Sequence, residues 1–331
     1  MTTTELHDDY SHLTPDLVIS AVESLGFLSD ARIYPLNSYE NRVYQVGIDE
    51  AEPMIVKFYR PLRWTDAAIL EEHAFSQQLA DLELPVVAPW QNPEGQTLHY
   101  FSGYRFALYR RQGGQAPEPD DFDQLLWLGR LLGRFHKAAA TDLFKERPTL
   151  SVQRMIREPA DFILQSEFLP PYLRERYDTL TATLEHRTRH ILTEVEPRFL
   201  RCHGDCHIGN ILWHRDTGPW FVDFDDCMNA PAVQDLWMLL AGSRVEQRAQ
   251  FSELLEGYEE FSNFDRRELQ LIEPLRSMRM VHYAGWLARR WSDPAFPANF
   301  PWFASAHYWQ NHVNSLQEQL MLLDEEPFQL Y

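Results

Sequence analysis

The segment Arg201-Cys202-His203-Gly204-Asp205-Cys206-His207-Ile208-Gly209-Asn210 places a carboxylate and a carboxamide five residues apart. Ile211-Leu212-Trp213 and Trp220-Phe221-Val222 flank Arg215-Asp216-Thr217-Gly218, which reads as a β-hairpin. Such a hairpin returns Asp223 to the side of Asn210. An Asp and an Asn carbonyl are hard oxygen donors, and with waters and phosphate oxygens they suit Mg2+. Cys202, His203, Cys206 and His207 crowd the same segment, but Cys-His-x-x-Cys-His is not a standard zinc pairing and no second pair follows closely. His203 is expected to brace the loop, and so is Asp235, which opens Asp-Leu-Trp-Met-Leu-Leu.

These side chains need a scaffold to position them. Thr14-Pro15-Asp16 reads as a helix start, with the helix running to about Leu25 and stopping at Gly26. Arg42–Val46 and Met54–Tyr59 are strand-like, with residues 47–53 as the turn between them. Thr65-Asp66 opens a helix to about Leu82, whose apolar stripe is Ala68, Phe75, Leu79 and Leu82. Glu72 falls on that stripe, and an inward carboxylate needs a cationic partner; Lys57, on the preceding strand, supplies one. Glu71 competes for the lysine but lies off the stripe. Residues 85–89 read as extended, and Thr97–Phe101 and Tyr104–Tyr109 as strands. Residues 110–120 have the Gly and Pro content of a linker.

Beyond the linker the pattern turns helical, beginning with Phe122–Ala140 and continuing to about Glu196. A short β patch at 211–224 interrupts it, and helices return from Val233 onward. The fold class expected is α+β, with two lobes: an antiparallel-sheet N-terminal lobe at 1–109, a hinge at 110–117 and a mostly helical lobe at 118–331. A ligand is expected in the cleft between them. The aromatic-dense stretch 286–309 is expected to be mostly core. Some of its aromatics, with Arg289 and Arg290, would line the substrate side.

The chain has 331 residues, three cysteines, 30 basic and 49 acidic residues, and a net charge of −19. That charge disfavours a protein that grips nucleic acid through phosphates. Three cysteines make no disulfide framework, which points to a reducing compartment. The opening residues show neither a basic n-region nor an apolar h-region, and no apolar run is long enough to span a bilayer. A cytoplasmic protein is expected, and with no long coiled coil a monomer is the default.

The Asp-to-Asn interval resembles the catalytic loop of protein kinases, where the Asp accepts the proton of the attacking hydroxyl and the Asn holds a metal ion. On that resemblance Asp205 is the base, Asn210 and Asp223 are the metal ligands, and Asp223 plays the part of the metal-holding Asp of the kinase DFG motif. Lys57, held by Glu72, would contact nucleotide phosphates. Phosphoryl transfer asks for positioning, charge neutralisation and a base, and these residues cover all three.

HGDCHIGNILW with the following Asp223 is similar to the aminoglycoside and choline phosphotransferase superfamily, which is protein-kinase-like. LNSYENRVYQ, IVKFYRP, LEEH, PAVQDLWMLL, YEEFSNFD, IEPLRSMR and RRWSDPAFPANFPW resemble, more narrowly, the bacterial stress response kinase A family. That resemblance spans roughly residues 36 to 302. It implies a cytosolic serine/threonine protein kinase that uses ATP and Mg2+, acts on protein substrates, and serves stress response and cell survival. It also places Ser38 near the ATP phosphates; a turn serine capping its own loop is the competing reading.

The sequence departs from the kinase pattern at two points. LNSYENRV replaces the G-x-G-x-x-G loop, so backbone N–H groups and the Ser38 hydroxyl would face phosphate. Asp223-Phe224-Asp225 lacks the DFG glycine, and the next helix start, near Gln234, lies only nine positions after Asp225, too close for a long activation loop. Asp225 is expected to support the metal-holding group from behind. A small-molecule kinase acting on an amino alcohol, sugar or aminoglycoside is the alternative. A nucleotide-binding scaffold without activity does not need a base at Asp205.

Overall fold

The structure is a computed structural model that describes residues 6–330. Residues 1–5 and 331, at the outer limits of the two expected lobes, lie outside the described residues. In chain order the elements are α1 (Pro15–Glu23), β1 (Ser29–Pro35), β2 (Arg42–Ile48), β3 (Ala51–Phe58), α2 (Asp66–Asp81), β4 (His99–Phe101) and β5 (Tyr104–Arg110). Then come α3 (Phe122–Ala139), α4 (Glu158–Gln165), α5 (Arg174–Val195), β6 (Phe199–Cys202), β7 (Ile211–His214), β8 (Gly218–Phe221) and β9 (Met228–Pro231). The chain continues with α6 (Val233–Trp237), α7 (Arg244–Glu259), α8 (Ile272–Arg289), α9 (Ala295–Asn299) and α10 (Ala306–Leu322).

The chain divides into two compact units that are not consecutive in sequence. The first holds residues up to 118 together with 145–147 and 207–227; the second holds 119–144, 148–206 and the residues from 228 on.

The first unit is built on an antiparallel sheet in the order β1-β2-β3-β5-β4. β3 lies in its middle, and the period of two along a strand decides what each residue faces. Met54, Val56 and Phe58 enter one core with Val18, Ala21 and Val22 of α1. Tyr59, on the opposite parity, packs with Ile69 of α2. Lys57 shares that parity, between Val43 of β2 and Ala107 of β5.

Thr65 caps α2 by accepting from Ala68 N–H, and the helix buries Ala68, Ile69, Glu72, Phe75 and Leu79. β7 and β8 form the expected hairpin. Residues 47–53 are mostly strand, and only Asp49-Glu50 turns.

The second unit is helical around one short ladder, β6 with β9. The aromatic stretch packs largely inside it: Phe296, Phe303 and Trp309 are buried, whereas Trp302 is exposed. Arg289 lies over the Phe162 ring at 5.4 Å. Among the described residues no helix is long and apolar enough to cross a membrane.

Candidate active site

In the first unit a cavity of about 480 Å3 is lined by Ser38, Lys57, Glu72, Asn210 and Asp223, among others. The strand-borne lysine, the inward glutamate of α2 and the two oxygen donors around the β7–β8 hairpin are therefore brought to one place. Val222 N–H donates to the Asn210 carbonyl at 3.0 Å, which sets the residue before Asp223 directly against Asn210. Gly114 of the linker also lines the cavity, at φ +153°; a Cβ there would come within 2.8 Å of the Leu212 carbonyl carbon. Its neighbour Gln115 exchanges backbone hydrogen bonds with Trp213 of β7 at 3.0 and 2.6 Å. The glycine thus lets the linker lie against the hairpin.

Lys57 is almost fully buried and faces three carboxylates. Its Nζ lies 3.0 Å from Asp223 Oδ1, 3.5 Å from Asp225 Oδ1 and 3.7 Å from Glu72 Oε1. Burial works against the ammonium, and Asp223, Asp225 and Glu72 outweigh it, holding the lysine well above its usual pKa. Glu72 also shifts upward, which here favours the neutral form: burial pushes its carboxyl up to about 7, although Lys57 opposes the rise. Asp223 is the nearest of the three and the most exposed. It sits at φ +61°, a conformation Asp tolerates better than most residues, and it opens the 3-10 turn Phe224–Asp226.

Asp225 has a larger part than the sequence indicated. It is buried, pairs with Arg63, and accepts from Asn41 Nδ2 at 2.9 Å. Burial would raise its carboxyl, but Arg63, Lys57 and Arg147 together drive it well below the usual range. Asn41 Oδ1 accepts from Arg60 N–H at 3.0 Å, and Ser38 Oγ donates to the Asn41 carbonyl at 3.0 Å. The loop that replaces a glycine-rich phosphate loop is thereby tied to Asp225. Glu71 takes a different partner from Lys57: its carboxylate accepts from the backbone N–H groups of Lys145, Glu146 and Arg147 at 2.7 to 2.8 Å.

In the second unit β6 delivers the loop that carries Asp205. Asp235, fully buried, accepts from His203 N–H at 2.8 Å and Gly204 N–H at 2.9 Å, and lies 3.1 Å from His136 Nε2. Gly204 needs its φ of +83° to aim that N–H. Gln234 Nε2 donates to the Gly204 carbonyl at 2.9 Å. Asp205 follows this double brace, with its carboxylate part-exposed and Oδ1 2.7 Å from Arg279 Nη1. All three cysteines are free and buried. Burial pushes their thiols up, the opposite of what a nucleophilic thiolate requires.

The sequence reading missed Arg63, Asn41 and Arg279 as members of these networks. Their partners lie 162, 184 and 74 residues away, so no local pattern carries them. The only available signal was that Asn41 and Arg279 fall inside stretches that share a family likeness.

Residues 32–272 match the model of the phosphotransferase enzyme family known as APH. The fold is that of solved kinases. The amicoumacin kinase hAmiN, determined with AMP-PNP, Ca2+ and Ami, superposes with a TM-score of 0.68 at 18% identity, covering 95% of each chain. Choline kinase LicA from Streptococcus pneumoniae superposes at 0.64 and 13% identity, covering 94% of this chain and all of that one. The protein is thus a phosphotransferase with the α+β, protein-kinase-like fold.

Among closer relatives, stress response kinase A of Escherichia coli K12 is 46% identical over 325 residues, 97% of each chain. The serine/threonine protein kinase RdoA of Salmonella typhimurium LT2 is 44% identical over the same shares. The chain belongs to the stress response kinase A family.

Proposed function

We propose that the protein is an ATP- and Mg2+-dependent serine/threonine protein kinase that acts in the cytoplasm during stress. The observation that carries this reading is the single cavity shared by Lys57, Glu72, Asn210 and Asp223. Asp205 stands on a braced loop of the other unit, five residues upstream of Asn210 in sequence. The names borne by relatives at 44 and 46% identity support a protein acceptor. The AMP-PNP and Ca2+ bound by a fold neighbour support a nucleotide and a divalent ion.

The donor set fits magnesium. Asn210 and Asp223 offer hard oxygens, and Glu72 Oε2 is buried with no hydrogen-bond partner among the described residues. Asn210 and Asp223 would hold the ion, and when bound it neutralises charge on the β- and γ-phosphates. The chain's own residues do the rest. Lys57 neutralises phosphate charge, with Glu72 and Asp225 limiting its reach. Ser38 and the backbone N–H groups of its loop face the phosphates. Asp205 orients the acceptor hydroxyl and takes its proton.

On this reading the nucleotide lobe expected at 1–109 takes in 207–227 as well, 110–117 is the hinge, and the rest of 118–331 supplies the base and receives the acceptor. The net charge of −19 supports partners other than nucleic acid. The test is transfer of labelled γ-phosphate from Mg-ATP by the purified protein: alone, with a generic protein acceptor, and with a panel of small alcohols. Label on protein serine or threonine that disappears in Asp205→Asn is expected. Label on small alcohols alone would replace the protein-kinase reading with the amino alcohol, sugar or aminoglycoside alternative.

A further inference from the structure

The base does not stand alone in the helical unit. Arg279, near the middle of α8, reaches Asp205 with Nη1, and both side chains stay accessible, at 45% for the arginine and 25% for the aspartate. The same Nη1 touches Met238 Sδ at 3.9 Å. Among the described residues Nε and Nη2 have no hydrogen-bond partner. An arginine fork carries its donors in a fixed plane, so the unused edge can receive a second anion while the first edge holds Asp205.

The surroundings extend this feature into a track. Arg276, Arg279, Tyr283, Trp286 and Arg290 recur at intervals of 3, 4, 3 and 4 residues, which is one stripe of a helix. That stripe is the accessible one: Arg279 and Tyr283 are exposed, and the other three are half-buried. The rings of Tyr283 and Trp286 are 5.6 Å apart. Arg276 is already paired, with Nε 3.1 Å from Glu273 Oε2 and its guanidinium 5.1 Å from the Trp237 ring. Arg279 is therefore the residue of this stripe whose charge meets whatever approaches the base. In a chain of net charge −19 it is a local positive feature against an acidic background.

Building on the protein-kinase reading, we propose that Arg279 is a specificity-determining residue, which selects serine or threonine acceptors flanked by an acidic side chain and rejects cationic acceptors. An acidic neighbour of the hydroxyl would form a charge-assisted hydrogen bond with the open edge of the fork. A lysine neighbour, or the ammonium of an amino alcohol, would be driven against the guanidinium beside the base, and like-charge juxtaposition is an effective means of rejection. The aromatic pair farther along the stripe gives an acceptor peptide an apolar surface to lie on.

The experiment measures kcat/KM for three serine peptides identical except for Asp, Asn or Lys beside the serine. The full chain is used as wild type, Arg279→Gln and Arg279→Glu, with nucleotide binding confirming that each variant is folded. Wild type is expected to favour the Asp peptide over the Lys peptide by about tenfold or more, mainly through KM. Arg279→Gln should bring that ratio close to one, and Arg279→Glu should invert it. A preference unchanged in Arg279→Gln would overturn the proposal. So would an equal fall in kcat on all three peptides, which would mean that the arginine only positions Asp205. Anionic, neutral and cationic alcohols run in parallel separate the two claims. Transfer to alcohols and to no peptide would overturn the protein-kinase reading, and a preference for the cationic alcohol would overturn the role of Arg279 as well.

Discussion

The two units fix their aspartates by different physics. In the first, Lys57 is held among Asp223, Asp225 and Glu72 and Arg63 pairs with Asp225, so charge balances charge in a cluster that is buried except at Asp223. In the second, Asp235 is just as buried, but backbone N–H groups and His136 satisfy it. The first arrangement suits a site that must receive a highly charged ligand, because an existing ion-pair network can exchange partners. Asp223, the nearest and most exposed partner of Lys57, is the group most easily exchanged. The second arrangement holds the backbone at Gly204 in one conformation, as a residue that must meet a hydroxyl in a fixed position requires. Paired charge is thus used where partners change, and backbone donors where the geometry must not.

Breaking the charged network should have the largest effect on stability. Asp225→Ala leaves Arg63 and Lys57 with one carboxylate fewer and Asn41 without its acceptor, which should cost about 3–5 kcal/mol. Chemical denaturation of the variant checks it, and a loss under about 1 kcal/mol would mean that the cluster is held by its other members.

Asp235→Ala removes the acceptor for two backbone N–H groups and should cost about 2–3 kcal/mol. Its signature is a fall in transfer activity with nucleotide affinity intact, since nucleotide is assigned to the other unit. Equal losses of both would mean that binding and transfer are not divided between the two units.

The smallest effect concerns pH. Glu268 accepts from Val233 N–H at the start of the helix that bears Asp235, and burial pushes its carboxyl up to about 7. A carboxyl raised above its unfolded value of 4.5 contributes stability that is complete below pH 4.5 and is lost as pH rises through about 7. Glu268→Gln should remove that dependence, gaining at pH 8 relative to wild type by about 1–2 kcal/mol, less than either loss above. Thermal melts of both proteins at pH 5 and pH 8 read it, and parallel shifts at the two pH values would contradict it.

Much of the fold was legible in local patterns. Thr65 capping α2, the alternation along β3 and the turn residues of the β7–β8 hairpin set most of the scaffold that brings Lys57, Glu72, Asn210 and Asp223 together. β1 was missed because nothing in it alternates cleanly: it carries a bulge, its Ala31 sits at φ +65°, and most of it is exposed. The β6–β9 ladder was missed because two four-residue strands, paired across the whole catalytic segment, have no period long enough to read. The strong role of Asp225 was hidden for the same reason as Arg63, Asn41 and Arg279: an ion pair between distant residues leaves no trace in either local sequence. Glu72 was found because a carboxylate on an apolar stripe violates a local rule. The nearer partner of Lys57, Asp223, violates none.

The central claim separates binding in the first unit from transfer at Asp205. It is tested most directly by titrating an ATP analogue, with and without Mg2+, into wild type, Asp205→Asn and Asp223→Asn, alongside phosphate transfer by the same samples. The account predicts that Asp205→Asn binds as wild type does while its transfer falls by roughly 10²–10⁴-fold, and that Asp223→Asn loses the magnesium-dependent part of binding. Transfer surviving in Asp205→Asn, or magnesium dependence unchanged in Asp223→Asn, would contradict it.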